Sequence, residues 1–252
     1  MPLTTIADLL DLLTREPGRP RITWYGDAGE RVELSGAVLE NWVNKTANLL
    51  VEEFDSAPGT RVRLDLPGHW RTVVWALATW RVGACVVTGD GSADVTVTDR
   101  PDRHPGVRDL VVVSLPALAR RYEGTLPPGA IDAAGAVMTY GDVLGWAPPV
   151  DPAAAALDDG ARQVTHAELL AGLPGDEPSA RERALLPATT GPGVDLVTEV
   201  VGVLRGDGSA VVVSAPLAQQ LRDDPARSAL LVSSERVTTQ SLGTPDRPGT
   251  FR

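Results

Sequence analysis

The sequence predicts an α/β protein in which parallel-rich sheets are flanked by helices. Three observations carry this. Short apolar β-like runs alternate with longer stretches of helical periodicity along most of the chain. TRVRLDL, WRTVVWALATWRVG and ACVVT follow one another as strand, helix and strand, the order of a right-handed parallel crossover. RALLPATTGPGVDLVTEVVGVLRGDGSAVVV shows the same order again in the second half.

In chain order, MPLTTIADLLDLL reads as a short amphipathic helix. It has no basic n-region and carries Asp8 and Asp11, so it does not read as a signal peptide. RITWY (21–25) and RVEL (31–34) flank GDAGE as a hairpin. Ser35 caps a helix over 36–54, where Val38, Leu39, Trp42, Val43, Leu49 and Leu50 recur at helical spacing. A strand at 60–66 and a PGH turn lead to a helix with Trp70, Val73, Val74, Leu77 and Trp80 on one face. Gly83 suits its C-terminal cap, and 84–88 is a strand. Strands follow at 93–99 and 109–114, a short helix at 116–122 and a β segment at 136–140. The second half predicts helices at 166–171, 193–204 and 215–223 and strands at 183–187, 209–214 and 229–234, with a polar loop around PGDEPS. Two subdomains result, 1–123 and 151–240, joined by a Gly/Pro-rich connection at 124–150 and followed by a flexible tail at 241–252.

Composition narrows the function classes. The chain has 252 residues, is 43% hydrophobic and carries a net charge of −10. Nucleic acids and anionic membranes need a basic surface, so neither is expected as partner. Cys85 is the only cysteine, which excludes an intrachain disulfide and a Cys-rich zinc centre and fits a cytoplasmic location. No run approaches the ~18 apolar residues of a spanning helix. Lys45 is the only lysine.

Four stretches in succession resemble the N-terminal part of the acyl-adenylate-forming superfamily, which includes acyl-CoA synthetases and peptide-synthetase adenylation domains. They are GRPRITWYGDAGERVELSGAVLENWVNKTANLL, PGTRVRLDLPGHWRTVVWALATWRVGACVV, VTHAELLAG and RALLPATTGPGVDLVTEVVGVLRGDGSAVVV. The likeness spans residues 5–240, and a group of actinobacterial proteins of unknown function shows the same shortened pattern. The resemblance implies that VTHAELLAG is the helix that follows a phosphate loop. In the enzymes that loop is rich in Gly, Ser and Thr and ends in a lysine, so that N–H groups, hydroxyls and an ammonium meet the ATP phosphates. Here it reads LDDGARQ, placing Asp158, Asp159, Gly160 and Arg162 at the phosphate-loop position. A like-charge pair ~4 Å apart costs about 4 kcal/mol at an effective dielectric near 20, so the two carboxylates oppose a triphosphate. The family's aromatic-His pair, expected at Ala188–Thr190, is absent. The adenine-binding segment, the metal-binding Glu, the ribose-binding Asp and the lid with its catalytic lysine are expected to be missing.

Each candidate residue also has a plainer reading. Thr165 and Glu168 form a T-x-x-E capping box. Asp158 and Asp159 read as a solvated loop, and two adjacent carboxylates are few for a divalent ion. His166, just after the cap, reads as exposed. Thr189, Thr190, Gly191 and Gly193 open a helix and could offer N–H groups to an anion, although Pro192 removes one donor. With His166 they make up a candidate ligand pocket. RGD at 205–207 reads as a turn, His69 as a local cap, His104 as a loop residue, Cys85 as inert core and the tryptophans from Trp24 to Trp80 as core packing. The expectation is therefore a non-catalytic relative of these ligases, without cofactor or metal, serving a binding, regulatory or assembly role with a protein partner or as a homodimer. The competing expectation is a nucleotide-, acyl- or CoA-binding protein or enzyme with a rebuilt site.

Overall fold

The computed structural model describes residues 3–89, 91–172, 181–189 and 191–242. In chain order the elements are α1 (Ile6–Thr14), β1 (Pro20–Tyr25), β2 (Arg31–Ser35), α2 (Gly36–Phe54), β3 (Arg61–Asp65), α3 (Trp70–Arg81), β4 (Cys85–Val87), β5 (Val95–Thr98), β6 (Leu110–Val112), β7 (Ile131–Asp132), α4 (Ala133–Ala136), β8 (Ala155–Asp158), β9 (Gln163–Thr165), α5 (His166–Leu169), β10 (Arg183–Pro187), α6 (Gly193–Arg205), β11 (Ser209–Val213), α7 (Ala215–Asp223), α8 (Pro225–Ser234) and β12 (Thr239–Gln240). They fall into two units, 1–39 with 67–73 and 170–252, and 40–66 with 74–169. The architecture is the α/β class that the alternating periodicity predicts.

The first unit is built on a five-stranded sheet of order β12-β10-β11-β1-β2, parallel except for β2. The apolar runs LLP and VVV face each other in register, with Leu185 opposite Val211 and Leu186 opposite Val212. Leu185, Val211 and Val213 pack with Ala218 and Leu221 of α7 and with Leu242. One stripe of α6, including Val197, Val200, Val201 and Leu204, is fully buried. α1 opens with a capping box between Thr5 and Asp8 and buries Ile6, Leu9, Leu10 and Leu13. Ser35 Oγ accepts the Val38 N–H at 3.3 Å, as its position before α2 predicts.

The second unit holds a seven-stranded sheet of order β7-β6-β5-β3-β4-β8-β9, in which β9 alone is antiparallel. Val62, Val86, Val97 and Val111 are buried in it, as strands covered on both faces require. Trp80 of α3 is 1% exposed and its indole N–H donates to the Ala156 carbonyl at 2.7 Å. Gly83 ends that helix at φ +78°, the left-handed conformation a glycine cap supplies.

Several expectations need correction. Residues 116–122 form a turn and not a helix, with the Ala119 N–H on the Pro116 carbonyl at 3.2 Å. The predicted strand at 136–140 is the end of α4 and a 3-10 turn, because Asp132 accepts the Ala134 N–H at 3.0 Å and starts an alanine-rich helix. The predicted strand at 229–234 lies in α8. Asp224 caps it by accepting the Arg227 N–H at 3.0 Å, and Pro225 sets the first helical φ. Here local capping outweighs the β-like run ALLV. β8, β9 and β12 were not anticipated. The strand partnerships also cross the expected division into 1–123 and 151–240: β8 and β9 extend the sheet of β3–β7, while β1 and β2 extend that of β10–β12. The predicted PGDEPS loop and most of the tail lie outside the described residues. Among the described residues, no helix is long and apolar enough to cross a membrane.

Candidate functional site

The stretch LDDGARQ forms the tip of a β-hairpin. β8 lies parallel to β4, with Val87 opposite Asp158, and turns back into β9 with Asp158 opposite Gln163. Gly160 takes φ +83°, which lets four residues reverse the chain. The two carboxylates close the turn from within. Asp158 Oδ1 accepts the Gly160 N–H at 2.9 Å. Asp159 Oδ1 accepts the Ala161 and Arg162 N–H groups at 2.9 and 2.7 Å. The Asp159 N–H in turn donates to the Arg162 carbonyl at 3.1 Å. Asp158 Oδ2 is held by Arg61 Nη2 at 2.9 Å. The Gly160 N–H and then Arg61 keep the Asp158 carboxyl below the ordinary carboxylate range. The Gly160, Ala161 and Arg162 N–H groups are therefore filled by the turn's own carboxylates.

The hairpin ends in the predicted capping box. Glu168 Oε2 accepts the Thr165 N–H at 3.0 Å, and Thr165 Oγ1 accepts the Glu168 N–H at 3.3 Å. His166, expected to be exposed, is 7% exposed. Its backbone N–H donates to the Ala154 carbonyl at 3.0 Å, which ties the first turn of α5 to the residue before β8. Burial pushes its pKa down, against hydrogen bonds to the Gly83 and Ala84 backbone, and among the described residues its Nε2 has no hydrogen-bond partner.

Thr189 is exposed, Gly191 half-buried and Gly193 buried. Pro192 is the N-cap of α6 and makes no side-chain capping bond. Thr190 lies outside the described residues. Asp158, Asp159, Gly160, Arg162 and His166 belong to the second unit, and Thr189, Gly191 and Gly193 to the first. Ala188 stands where an aromatic residue or histidine was expected and is 4% exposed.

The other residues with a functional reading have structural partners. His69 Nδ1 accepts the Arg71 N–H at 3.2 Å and its ring meets Trp24 at 4.4 Å, a local cap packed on an indole. Burial first, and then the charge of Arg71, push it down to about 3. Burial raises the Cys85 thiol to about 11, so it is an unreactive core residue. The Asp207 carboxylate of the RGD turn is held by Arg21 at 2.7 Å, Arg181 at 3.3 Å and Arg19 at 3.5 Å. Lys45 Nζ bonds the Tyr140 carbonyl and lies 2.9 Å from Asp142 Oδ1.

Two polar clusters escaped the sequence reading because their members are far apart in the chain. In one, Glu235 meets Tyr25, Arg31 and Arg183. In the other, Asp65 at the end of β3 meets Thr98, Arg100 and His104 from the end of β5 onward. Burial works to raise the Asp65 carboxyl, yet the His104 bond, the Arg100 charge and the Thr98 bond together hold it below its ordinary value. Among the described residues, no group of three or more His, Cys, Asp or Glu side chains could hold a metal ion.

No protein-family profile matches the chain. A curated protein of Mycobacterium tuberculosis (strain ATCC 25618 / H37Rv), described as a TIGR03089 family protein, is 33% identical over 248 residues, 94% of this chain and 98% of its own length. Among solved structures, McyG A-PCP complexed with phenylalanyl-adenylate matches with a TM-score of 0.64 at 14% identity. The match covers 94% of this chain and 46% of that one, so this chain spans less than half of McyG A-PCP. At that identity the likeness establishes a shared fold with that part of McyG A-PCP.

Proposed function

The chain belongs to the TIGR03089 family, and from that premise we propose that it is a non-catalytic protein on an adenylate-forming fold, acting by binding in a regulatory or assembly role. The observation that carries this is the self-closed turn at 158–162. A phosphate loop works by leaving several backbone N–H groups unpaired and convergent. In this turn the Gly160, Ala161 and Arg162 N–H groups are bonded to Asp158 and Asp159. An incoming phosphate must displace two carboxylates and then lie beside them, so it meets repulsion where the enzymes supply attraction.

The state of Lys45 supports the same reading. Adenylation and its reversal need charge placed on the transferring phosphoryl group. The one lysine of the sequence is committed to the Tyr140 carbonyl and to Asp142.

The test is ATP–pyrophosphate exchange by the purified chain with a panel of carboxylic acids, paired with a thermal-shift titration of Mg·ATP. The expected outcome is no exchange above the protein-free background and no shift in melting temperature. Exchange that saturates with one carboxylic acid overturns the proposal.

A further inference from the structure

The seven-stranded sheet contains a reversal of strand order. From β3 the chain steps to β4 on one side, while from β5 it steps to β6 and β7 on the other, and β3 and β5 are neighbours. In open parallel sheets, ligands bind outside the carboxyl ends of strands at such a switch point, because the outgoing connections diverge and leave a crevice. The residues at this point are Asp65, the last of β3, and Thr98, the last of β5, with Arg100 and His104 just beyond.

These side chains are arranged around one carboxylate. Asp65 Oδ2 lies 2.9 Å from His104 Nε2 and accepts from Thr98 Oγ1 at 3.2 Å. Thr98 Oγ1 also accepts the Arg100 N–H at 3.0 Å, which fixes where the arginine starts. The His104 side chain is 12% exposed. In the neutral imidazole, an ionised Asp65 places the proton on Nε2, so that Nδ1 presents a lone pair. Among the described residues His104 makes side-chain bonds through Nε2 alone. Arg100 stands 3.5 Å from Asp65 and 3.6 Å from Asp99, long contacts that leave guanidinium N–H groups for another acceptor. An oriented acceptor beside an under-used cation matches a ligand with a hydroxyl next to an anionic group.

We propose that the carboxyl ends of β3 and β5 form a binding site for a small hydroxylated anion, with Arg100 on the anionic group and His104 Nδ1 accepting from the hydroxyl. Asp65 is a positioning residue that holds the imidazole in the accepting tautomer. The anion can be a phosphate monoester or the carboxylate of a hydroxy acid, since a guanidinium fork takes either. The site lies two strands from the 158–162 turn, with β4 between β3 and β8, and shares no residue with it.

Long-range proton–nitrogen spectra of the three histidines, with His104 assigned through His104→Gln, read the site directly. Glycerol 3-phosphate, lactate and glycerol are titrated in parallel. The expected result is a saturable shift of the His104 ring nitrogens with glycerol 3-phosphate or lactate, and none with glycerol. Arg100→Gln, with an unchanged circular dichroism spectrum, is expected to raise the Kd about tenfold or more, the loss of one charge-assisted bond. No saturable shift with either anion, an equal response to glycerol, or an unchanged Kd in Arg100→Gln overturns the proposal. ATP–pyrophosphate exchange tests the turn separately, so failure of one reading is distinguishable from failure of the other.

Discussion

At the scale of single residues, a few positions carry constraints that hydrophobic pattern does not express. Gly36 opens α2, and a Cβ placed there stands 2.3 Å from the Leu13 carbonyl oxygen, a backbone atom that cannot swing aside. Gly36→Ala is therefore expected to cost about 1–3 kcal/mol. Gly18→Ala, where no described residue lies within 4 Å, is the control, and urea denaturation of both compares them. Glu235 is the second such position. Burial works to raise its carboxyl, but the bonds from Tyr25, Arg183 and Arg31 hold it below its ordinary value. It is 9% exposed and Arg183 is 16% exposed, so neither charge is well hydrated. Glu235→Gln leaves the arginine without its counter-charge and is expected to destabilise by roughly 3 kcal/mol. Glu235→Gln with Arg183→Met is expected to recover part of that loss in the same denaturation series. If the double variant is no more stable than the single one, Glu235 acts through something other than this pair. No sequence window contains both Glu235 and Arg183, which is why the cluster was invisible before the fold was known.

At the scale of elements, legibility followed the reach of the interactions that decide each one. Strands β1–β6, β10 and β11 and helices α1–α3, α6 and α7 are read from periodicity and caps a few residues long. The Thr165–Glu168 box marks the start of α5 for the same reason. The hairpin tip was legible in part: its two aspartates were visible, but not that they would consume the turn's own N–H groups. His166 was misread because its burial depends on Gly83 and Ala84, far away in the chain. Residues 140–145 show the limit most clearly. They have no regular structure and are held along α2 by side chains of that helix. Asn48 Nδ2 donates to the Gly141 and Val143 carbonyls at 3.1 and 2.9 Å, and its Oδ1 accepts the Gly145 N–H at 2.9 Å. Asn44 adds a bond to the Asp142 carbonyl at 3.0 Å. Asn48 is 5% exposed, so these bonds are shielded from water. Asn48→Ala removes three of them and is expected to cost about 2–3 kcal/mol. Amide exchange at Gly145 is expected to accelerate while amides in the sheet keep their protection. Unchanged protection at Gly145 would show that the segment is held by other contacts.

At the scale of the molecule, two buried histidines and the shifted carboxyls together set how stability responds to pH. Two histidines are buried in neutral form. His69 is 4% exposed and pushed down to about 3, and His166 is 7% exposed and lowered in the same direction. In the unfolded chain both recover the ordinary value near 6.5. Between pH 6.5 and the lowered folded values, the unfolded state binds protons that the folded state refuses. Stability is then fullest above pH 6.5 and falls as the pH drops from there toward each group's folded value, by up to about 1.4 kcal/mol per pH unit for each such group. Glu199 and Asp99 act in the opposite sense. Burial raises both carboxyls, so each contributes stability while protonated, and that contribution is lost as pH rises through its folded value. Their contribution therefore opposes that of the histidines as pH falls through their folded values. The lowered carboxyls of Asp65, Asp158 and Glu235 add a further loss only when pH falls below their unfolded values. Urea midpoints measured from pH 8 to pH 4 are therefore expected to hold steady down to about 6.5 and then decline. His69→Gln keeps a polar side chain in the same space but cannot be protonated, so its slope between pH 6.5 and 4 is expected to be shallower than that of the native chain. A native slope that His69→Gln reproduces in full would place the pH sensitivity elsewhere and contradict the neutral burial of His69.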